Sequence, residues 1–241
     1  GTGGFGIKAS SIAYYNSPLV EMILAIAMII FGINFNIFYV ILIGKARDGL
    51  KSEELRWYLF IVFGSVVLIF FNIKNNYTSY LTAVKDIFFT VSSIISTTGY
   101  ATADFGKWPP FSHFILLFLM FTGACAGSTA GGLKISRFII LVKSSILQFR
   151  KAVNPKRVLS VKMDNKAVGN EVLEEVRAYF VIYIFLIIIF TILISFSVPD
   201  FLTAFSAVMA TFNNIGPGMA IVGPTGSYAS LTDFNKIVLS F

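Results

Sequence analysis

The sequence predicts an all-α membrane protein in which one unit recurs: a membrane span, a short re-entrant helix, a glycine loop and a second span. Two supporting observations are compositional, since 56% of the 241 residues are hydrophobic and only 13% are charged. A soluble domain usually has about a quarter of its residues charged. The third observation is that glycine loops at 2–6, 97–101 and 214–218 adjoin apolar helical stretches. We expect such repeats to surround a central pore.

The first half of the chain contains one complete unit. The apolar stretch 19–43 is long enough to span the hydrocarbon core at about 1.5 Å per residue, and 55–73 is a second span. The first stretch contains Gly32, Asn34 and Asn36 as interruptions. The segment 82–96 is apolar but too short to cross, which favours a re-entrant pore helix. The stretch 111–148 is too long for one simple span and is broken at 123–132.

The second half repeats the pattern. A charged helix at 170–177 leads into a span at 176–196, and 201–213 is a second short pore helix. A last span begins near residue 231. The predicted units are therefore the end of one repeat, a full repeat, a cytoplasmic linker and most of another repeat: 1–43, 44–150, 151–175 and 176–241. Both ends fall within apparent structure, so we expect a fragment of a longer protein.

The net charge of +7 predicts orientation rather than nucleic-acid binding, because Lys and Arg concentrate in cytoplasmic loops. Two segments should therefore face the cytoplasm. Their basic residues are Lys45, Arg47, Lys51 and Arg56 in one, and Lys143, Arg150, Lys151, Lys156, Arg157, Lys162, Lys166 and Arg177 in the other. The glycine loops then face outside, and each short helix directs its negative C-terminal dipole toward them, which favours a nearby cation.

The glycine loops are candidates for a selectivity filter. Irregular backbone at membrane depth is tolerated only where it is buried or lines water. In such loops backbone carbonyls can replace the water around a cation, and glycine lets the chain turn them inward at positive φ. The candidate filter residues are Thr2, Gly3, Gly4, Phe5, Thr97, Thr98, Gly99, Tyr100, Asn214, Ile215, Gly216 and Pro217.

Three motifs, in this order and each in place within the repeat, resemble the Trk/Ktr/HKT superfamily of potassium transporters. They are STTGYAT at 96–102, GSTAGGLK at 127–134 and NNIGPG at 213–218. Over essentially the whole chain the sequence is most similar to TrkH-type potassium uptake subunits. The resemblance implies four repeats around one pore, of which this chain holds the end of the second through most of the fourth.

The resemblance also implies function and partners. It implies potassium uptake, with potassium as the transported ligand and no covalent cofactor, in the bacterial cytoplasmic (inner) membrane. It further implies a homodimer, contact with membrane lipid and a cytosolic nucleotide-binding regulatory subunit of the TrkA type. Any NAD or ATP would bind that subunit, not this chain. Coupling to protons or sodium, as in a symporter, is not legible from the sequence.

Aligning the loops places Gly4, Gly99 and Gly216 at the filter glycine position of the family. We expect potassium to be bound by backbone carbonyls of four residues: Thr98, Gly99, Ile215 and Gly216. In some sodium-permeable relatives a serine replaces the glycine of the first repeat. That repeat is absent from this sequence, so the preference for potassium or sodium stays open.

The glycine-rich break has two interpretations. Gly123, Gly127 and Gly131 form a small-xxx-small pattern, which is typical of close helix packing in lipid. The other interpretation, favoured by the resemblance, is an unwound gate beneath the filter, because paired glycines lower helix propensity. The candidate gate residues are Gly123, Gly127, Ser128, Thr129, Ala130, Gly131, Gly132 and Lys134. Lys134 is either a lysine reaching cytoplasmic water or a charge at the lower mouth of the pore.

Other classes of protein fit less well. The sequence has one histidine and one cysteine and shows no metal-ligand cluster, which argues against a metalloenzyme or haem protein. The segment 127–136 resembles a phosphate-binding loop, but Leu133 intrudes and no buried strand precedes it. We therefore predict that the protein is not an enzyme. The alternative function is a secondary carrier with discontinuous helices for sodium or a small solute.

Overall fold

The computed structural model describes residues 2–8, 10–154 and 160–240. The described residues form ten α-helices. The helices are α1 (Pro18–Phe31), α2 (Phe35–Leu42), α3 (Ala46–Leu50), α4 (Glu53–Ile73), α5 (Tyr80–Ile95), α6 (Pro110–Thr122), α7 (Ile135–Val153), α8 (Asn170–Ser195), α9 (Phe201–Phe212) and α10 (Asp233–Ser240). Four residues named in the predictions lie outside the described ranges: Gly1, Lys156, Arg157 and Phe241.

The remaining regular elements are short. A hairpin joins β1 (Lys162–Met163) to β2 (Lys166–Ala167) in antiparallel pairing, within the segment predicted as a cytoplasmic linker. The 3-10 helices are Ser11–Tyr15, Lys74–Asn76, Phe105–Lys107, Ala220–Val222 and Tyr228–Ser230. The prediction of an all-α membrane protein is confirmed.

Two helices, α4 and α8, are long and apolar enough to cross a membrane. They correspond to the predicted spans at 55–73 and 176–196. The charged segment at 170–177 is continuous with α8, so the predicted entry helix and span form one helix of 26 residues. α6 and α9 are apolar but shorter, which agrees with a broken span and a re-entrant helix.

The predicted span over 19–43 is divided into α1 and α2, which are bent by 86° at the break between them and which together are long and apolar enough for one span. Gly32 ends α1, and a Cβ there would overlap the Tyr58 hydroxyl. That hydroxyl donates to the Ile29 carbonyl at 3.0 Å. Asn34 then begins α2, since its side chain accepts from the Asn36 N–H at 2.9 Å. The turn is built from a glycine and a capping asparagine.

The helices pack so that α5 and α9, the short helices predicted as pore helices, lie inside. α5 contacts α1, α4 and α6, and α9 contacts α8, α6 and α10. The C-terminal half of α5, from Phe89 to Ile95, is buried throughout. At about 1.5 Å per residue, α5 is about 24 Å long and ends within the membrane thickness. α6 contacts both of these short helices and so connects them.

Candidate functional site

The loop after α5 is held by serines of its own helix. The N–H groups of Thr98 and Gly99 donate to the Ser93 carbonyl at 2.9 and 3.3 Å. The Ser93 hydroxyl in turn donates to the Tyr100 carbonyl at 2.7 Å. Thr97 has φ 54° and Gly99 has φ 76°. A β-branched residue at positive φ is a strained conformation that the surrounding structure must impose.

The loop after α9 has the same construction. The N–H groups of Ile215 and Gly216 donate to the Ala210 carbonyl at 2.7 and 3.3 Å. Asn214 has φ 53° and Gly216 has φ 109°. Asn214 and Gly216 thus match Thr97 and Gly99 in order and in backbone conformation. The two loops are repeats in geometry as well as in sequence, as the predicted alignment of their glycines requires.

The N-terminal loop joins these two directly. The N–H groups of Gly3 and Gly4 donate to the carbonyls of Thr97 and Thr98 at 3.2 and 2.9 Å. The Asn214 side chain donates to the Thr2 hydroxyl at 2.9 Å. The structure therefore brings the predicted filter residues of all three loops together. Residues 2–5, 97–100 and 214–217 are called the filter cluster below.

Glycines are required where these backbones meet. A Cβ at Gly99 would overlap the Ile215 carbonyl oxygen, and one at Gly4 would lie 3.1 Å from the Gly99 carbonyl oxygen. A Cβ at Gly216 would lie 2.5 Å from the Gly3 carbonyl oxygen. Each of the aligned glycines therefore touches the backbone of another loop. Phe5, by contrast, projects away and is 85% exposed.

The carbonyls predicted to bind potassium differ in their surroundings. The Thr98 carbonyl accepts from Gly4, and the Gly216 carbonyl accepts from the Tyr228 hydroxyl at 2.8 Å. The Gly99 and Ile215 carbonyl oxygens both lie against Gly4. A carbonyl oxygen has two lone pairs, so one hydrogen bond leaves it a second acceptor site. A cavity of about 730 Å³ adjoins the cluster and is lined by all three loops.

The break between α6 and α7 lies beside this cluster. Residues 123–134, called the gate loop below, are non-helical, so the interpretation of this segment as a helical small-residue contact is wrong. Its C-terminal half touches the filter cluster, since the Gly131 N–H donates to the Thr97 hydroxyl oxygen at 2.9 Å. A Cβ at Gly131 would overlap the Asn213 carbonyl.

The N-terminal half of the gate loop packs against the bend between α1 and α2. The Cys125 N–H donates to the Gly32 carbonyl at 3.1 Å, and the Phe35 N–H donates to the Gly127 carbonyl at 3.4 Å. The Ala126 N–H donates to a carboxylate oxygen of Glu54 at 2.6 Å. The backbone groups freed by the two breaks therefore satisfy one another, which is what a membrane interior demands.

The remaining gate residues lie along the same loop. Ser128 donates to the Cys125 carbonyl at 2.6 Å, whereas Thr129 is exposed. Lys134 is half-buried, and its ammonium donates to the Ala130 carbonyl and to the Ser128 carbonyl, the latter at 3.3 Å. The lysine side chain therefore stabilises the gate loop through two of its backbone carbonyls. Gly123 and Gly132, at the two ends of the loop, both have positive φ.

Two buried glutamates are absent from the site residues predicted from the sequence. Glu54, in the first turn of α4, contacts the gate loop as described. Glu21, in the first turn of α1, forms an ion pair with Lys85 of α5 at 2.6 Å, and Asp86 lies 3.6 Å from the same ammonium. A carboxylate inside an otherwise apolar stretch was the available signal for Glu21, because buried membrane charges are usually paired.

Comparison with known proteins gives matches over essentially the whole chain. The family model TrkH, described as a cation transport protein, matches residues 1–241. The Trk system potassium uptake protein TrkH of Salmonella typhimurium is 34% identical, over 98% of this chain and 49% of its own length. TrkG of Escherichia coli, with the same system name, is 31% identical over 98% and 49%. The chain thus spans about half the length of these relatives.

The structural comparison agrees. The crystal structure of the potassium transporter TrkH from Vibrio parahaemolyticus has a TM-score of 0.89 at 30% identity, covering 98% of this chain and 51% of that one. These matches confirm the resemblance stated from the three motifs, and they confirm that the family is a transporter rather than an enzyme. With the described helices, the filter cluster and the family match all in agreement, the chain belongs to the TrkH family of cation transport proteins.

Proposed function

We propose that this chain contributes to a potassium-conducting pore in the bacterial cytoplasmic membrane. The observation that carries the proposal is the backbone contact among three aligned glycines, Gly4, Gly99 and Gly216, from loops far apart in the sequence. Ordinary turns have no need for such contact. A carbonyl filter does need it, because carbonyls from several loops must approach one ion. The names of the curated relatives support potassium as that ion.

In the proposed filter the chemistry is dehydration of a cation, offset by contacts with backbone oxygens. The carbonyls of Thr98, Gly99, Ile215 and Gly216 supply those contacts. The C-terminal ends of α5 and α9 add a negative dipole at the same place. The Thr98 carbonyl already accepts a hydrogen bond from the Gly4 N–H. To bind an ion, this carbonyl must use its second lone pair or lose that hydrogen bond. No bond is made or broken, and the ion is the transported ligand.

The proposed gate is the loop at 123–134. It lies directly against the filter cluster at Gly131 and Thr97, and it is irregular where a continuous span would otherwise run. A loop at this position controls whether an ion that leaves the filter reaches the cytoplasmic side. Lys134, bonded to loop carbonyls, contributes to holding the closed arrangement and places a positive charge near the path.

The proposed assembly extends beyond this chain. We infer a further filter loop in the rest of the protein, since the relatives are about twice this length. The basic residues favour a cytoplasmic location for the α2–α4 and α7–α8 connections. We include in the proposal a multi-pass inner-membrane protein, a homodimer, contact with membrane lipid and a TrkA-type nucleotide-binding regulatory subunit. The basic cytoplasmic connections are the surfaces available to the last two partners.

The test is rubidium flux and potassium-dependent growth of the full-length parent protein with Gly99→Ser, in a host that lacks potassium uptake. We expect flux to be lost or to turn toward sodium, because the new side chain overlaps the Ile215 carbonyl. Gly64→Ser is the matched control, since Gly64 of α4 has open space around it. Unchanged flux through Gly99→Ser would contradict the filter and favour the carrier alternative.

A further inference from the structure

The first turn of α4 contains a buried carboxylate that the proposed filter chemistry does not use. Glu54 is only 4% exposed. One of its carboxylate oxygens accepts from the Ala126 N–H at 2.6 Å, and the other accepts from the Asn34 side chain at 3.3 Å. A carboxylate in such a place is costly unless it is well hydrogen-bonded, and charge-assisted bonds of this kind are short and strong.

The two hydrogen-bond partners of Glu54 belong to different elements. Ala126 lies in the gate loop, and Asn34 begins α2 after the 86° bend. One carboxylate thus joins α4, the bend and the loop. The neighbouring bonds from Cys125 to Gly32 and from Phe35 to Gly127 close the same junction.

The adjacent glutamate provides a contrast. The Glu53 carboxylate pairs with Lys143 of α7 at 2.5 Å, and its backbone N–H donates to Asp164 in the turn of the hairpin. Neither contact involves the gate loop. These two consecutive glutamates therefore bond to different elements, so Glu53 is a matched control for Glu54.

We propose that Glu54 is the residue that positions the gate loop, holding its N-terminal half to α4 through the Ala126 N–H while Thr97 holds its C-terminal half to the filter. The part of this inference that concerns ion flux rests on the proposed function. The part that concerns the position of the loop does not. Glu54 acts through the loop and does not touch the filter cluster in the described residues.

The structure contains a probe for the position of the loop. Cys125 is fully buried, lies next to Ala126 and donates through its N–H to the bend. Its thiol should react slowly with a membrane-permeant maleimide while the loop is anchored. The experiment measures the labelling rate at the peptide containing Cys125 by mass spectrometry, in the full-length parent protein in membranes, together with rubidium flux.

Two substitutions distinguish the effect of side-chain length from that of charge. Glu54→Gln keeps an oxygen within hydrogen-bond distance of the Ala126 N–H and removes the charge. Glu54→Asp keeps the charge but withdraws the carboxylate by about 1.5 Å, one carbon–carbon bond. We expect Glu54→Asp to raise the Cys125 labelling rate about tenfold, Glu54→Gln to change it by less than about threefold, and Glu53→Asp to leave it unchanged.

The outcomes are distinguishable. Faster labelling with altered flux in Glu54→Asp supports the anchor and the gate together. Faster labelling with normal flux supports the anchor and contradicts the gating role of the loop. Unchanged labelling in Glu54→Asp, or an equal rise in Glu53→Asp, overturns the anchor. A larger rise in Glu54→Gln than in Glu54→Asp also overturns it, because charge rather than reach would then hold the loop.

Discussion

The filter cluster and the gate loop are both glycine-rich, irregular and buried in the same protein, yet they are held in different ways. In the filter cluster, loops bond backbone to backbone, as in the pairs Gly3–Thr97 and Gly4–Thr98. The gate loop depends to a greater extent on side chains: the Thr97 hydroxyl and the Glu54 carboxylate from outside the loop, and its own Lys134 ammonium.

In the proposed function, this difference means that the filter cluster keeps its shape while the gate loop can be displaced. Backbone contact between glycines leaves no side chain that could rotate away, so the spacing of the carbonyls is fixed. A side-chain anchor can change rotamer, and a hydrogen bond to a neutral side chain such as the Thr97 hydroxyl contributes on average only about 0.6 kcal/mol in a membrane. The following three predictions test this distinction, in order of expected effect.

The largest effect is expected from alanine in the filter cluster. Gly216→Ala should abolish rubidium uptake, because its Cβ would lie 2.5 Å from the Gly3 carbonyl oxygen at φ 109°. Gly4→Ala should only reduce uptake, because its nearest obstacle is 3.1 Å away. Strain at positive φ adds about 1–2 kcal/mol in both. Gly64→Ala is the control in flux assays, and equal losses at Gly216 and Gly4 would contradict the steric ranking.

A smaller effect is expected in the gate loop. Gly131→Ala should change the open probability of the full-length protein about tenfold without changing its preference among cations, because the Cβ would displace the loop from the Asn213 carbonyl. Gly127→Ala should matter less, since its Cβ would meet the end of the Asn34 side chain at 2.9 Å rather than backbone, and the main cost is strain of about 1–2 kcal/mol at φ 68°. Single-channel recording distinguishes the two quantities. A change in ion preference would place Gly131 in the filter rather than in the gate.

The smallest effect is expected at the bond between the two regions. Thr97→Val keeps the shape of the side chain and removes the acceptor of the Gly131 N–H. At about 0.6 kcal/mol for such a bond, the gating equilibrium should shift about threefold. Thr97→Ser retains the hydroxyl and should behave as the parent in the same recordings. A loss of all conduction in Thr97→Val would instead show that the hydroxyl supports the filter itself.

Most of the fold follows from local pattern. Apolar length and glycine pairs act locally, so the sequence predicts the spans α4 and α8, the short helices α5 and α9 and the break before α7. Aligning the glycine loops also identified Gly4, Gly99 and Gly216, the predicted filter glycines that the structure brings together. The pairing of the loops follows from their resemblance and not from any local signal.

The bend after Phe31 and the role of Glu54 were not predictable from the sequence. Gly32 and Asn34 are compatible with a continuous span, and the bend becomes favourable only because Tyr58 and the gate loop satisfy it from remote positions. Glu54 is a usual residue for the first turn of a helix. Its partner in the gate loop is a backbone N–H, which leaves no signature in the identity of Ala126.

The bond between Thr2 and Asn214 joins residues 212 positions apart, which has a consequence for biogenesis. Contacts of such long sequence separation form late, after the local helices. During synthesis the N-terminal loop must remain unpaired in the membrane until α9 has been inserted. We therefore expect the proposed ion path to be completed only after α9 is in place, so that a nascent chain does not dissipate the ion gradients of the cell that makes it.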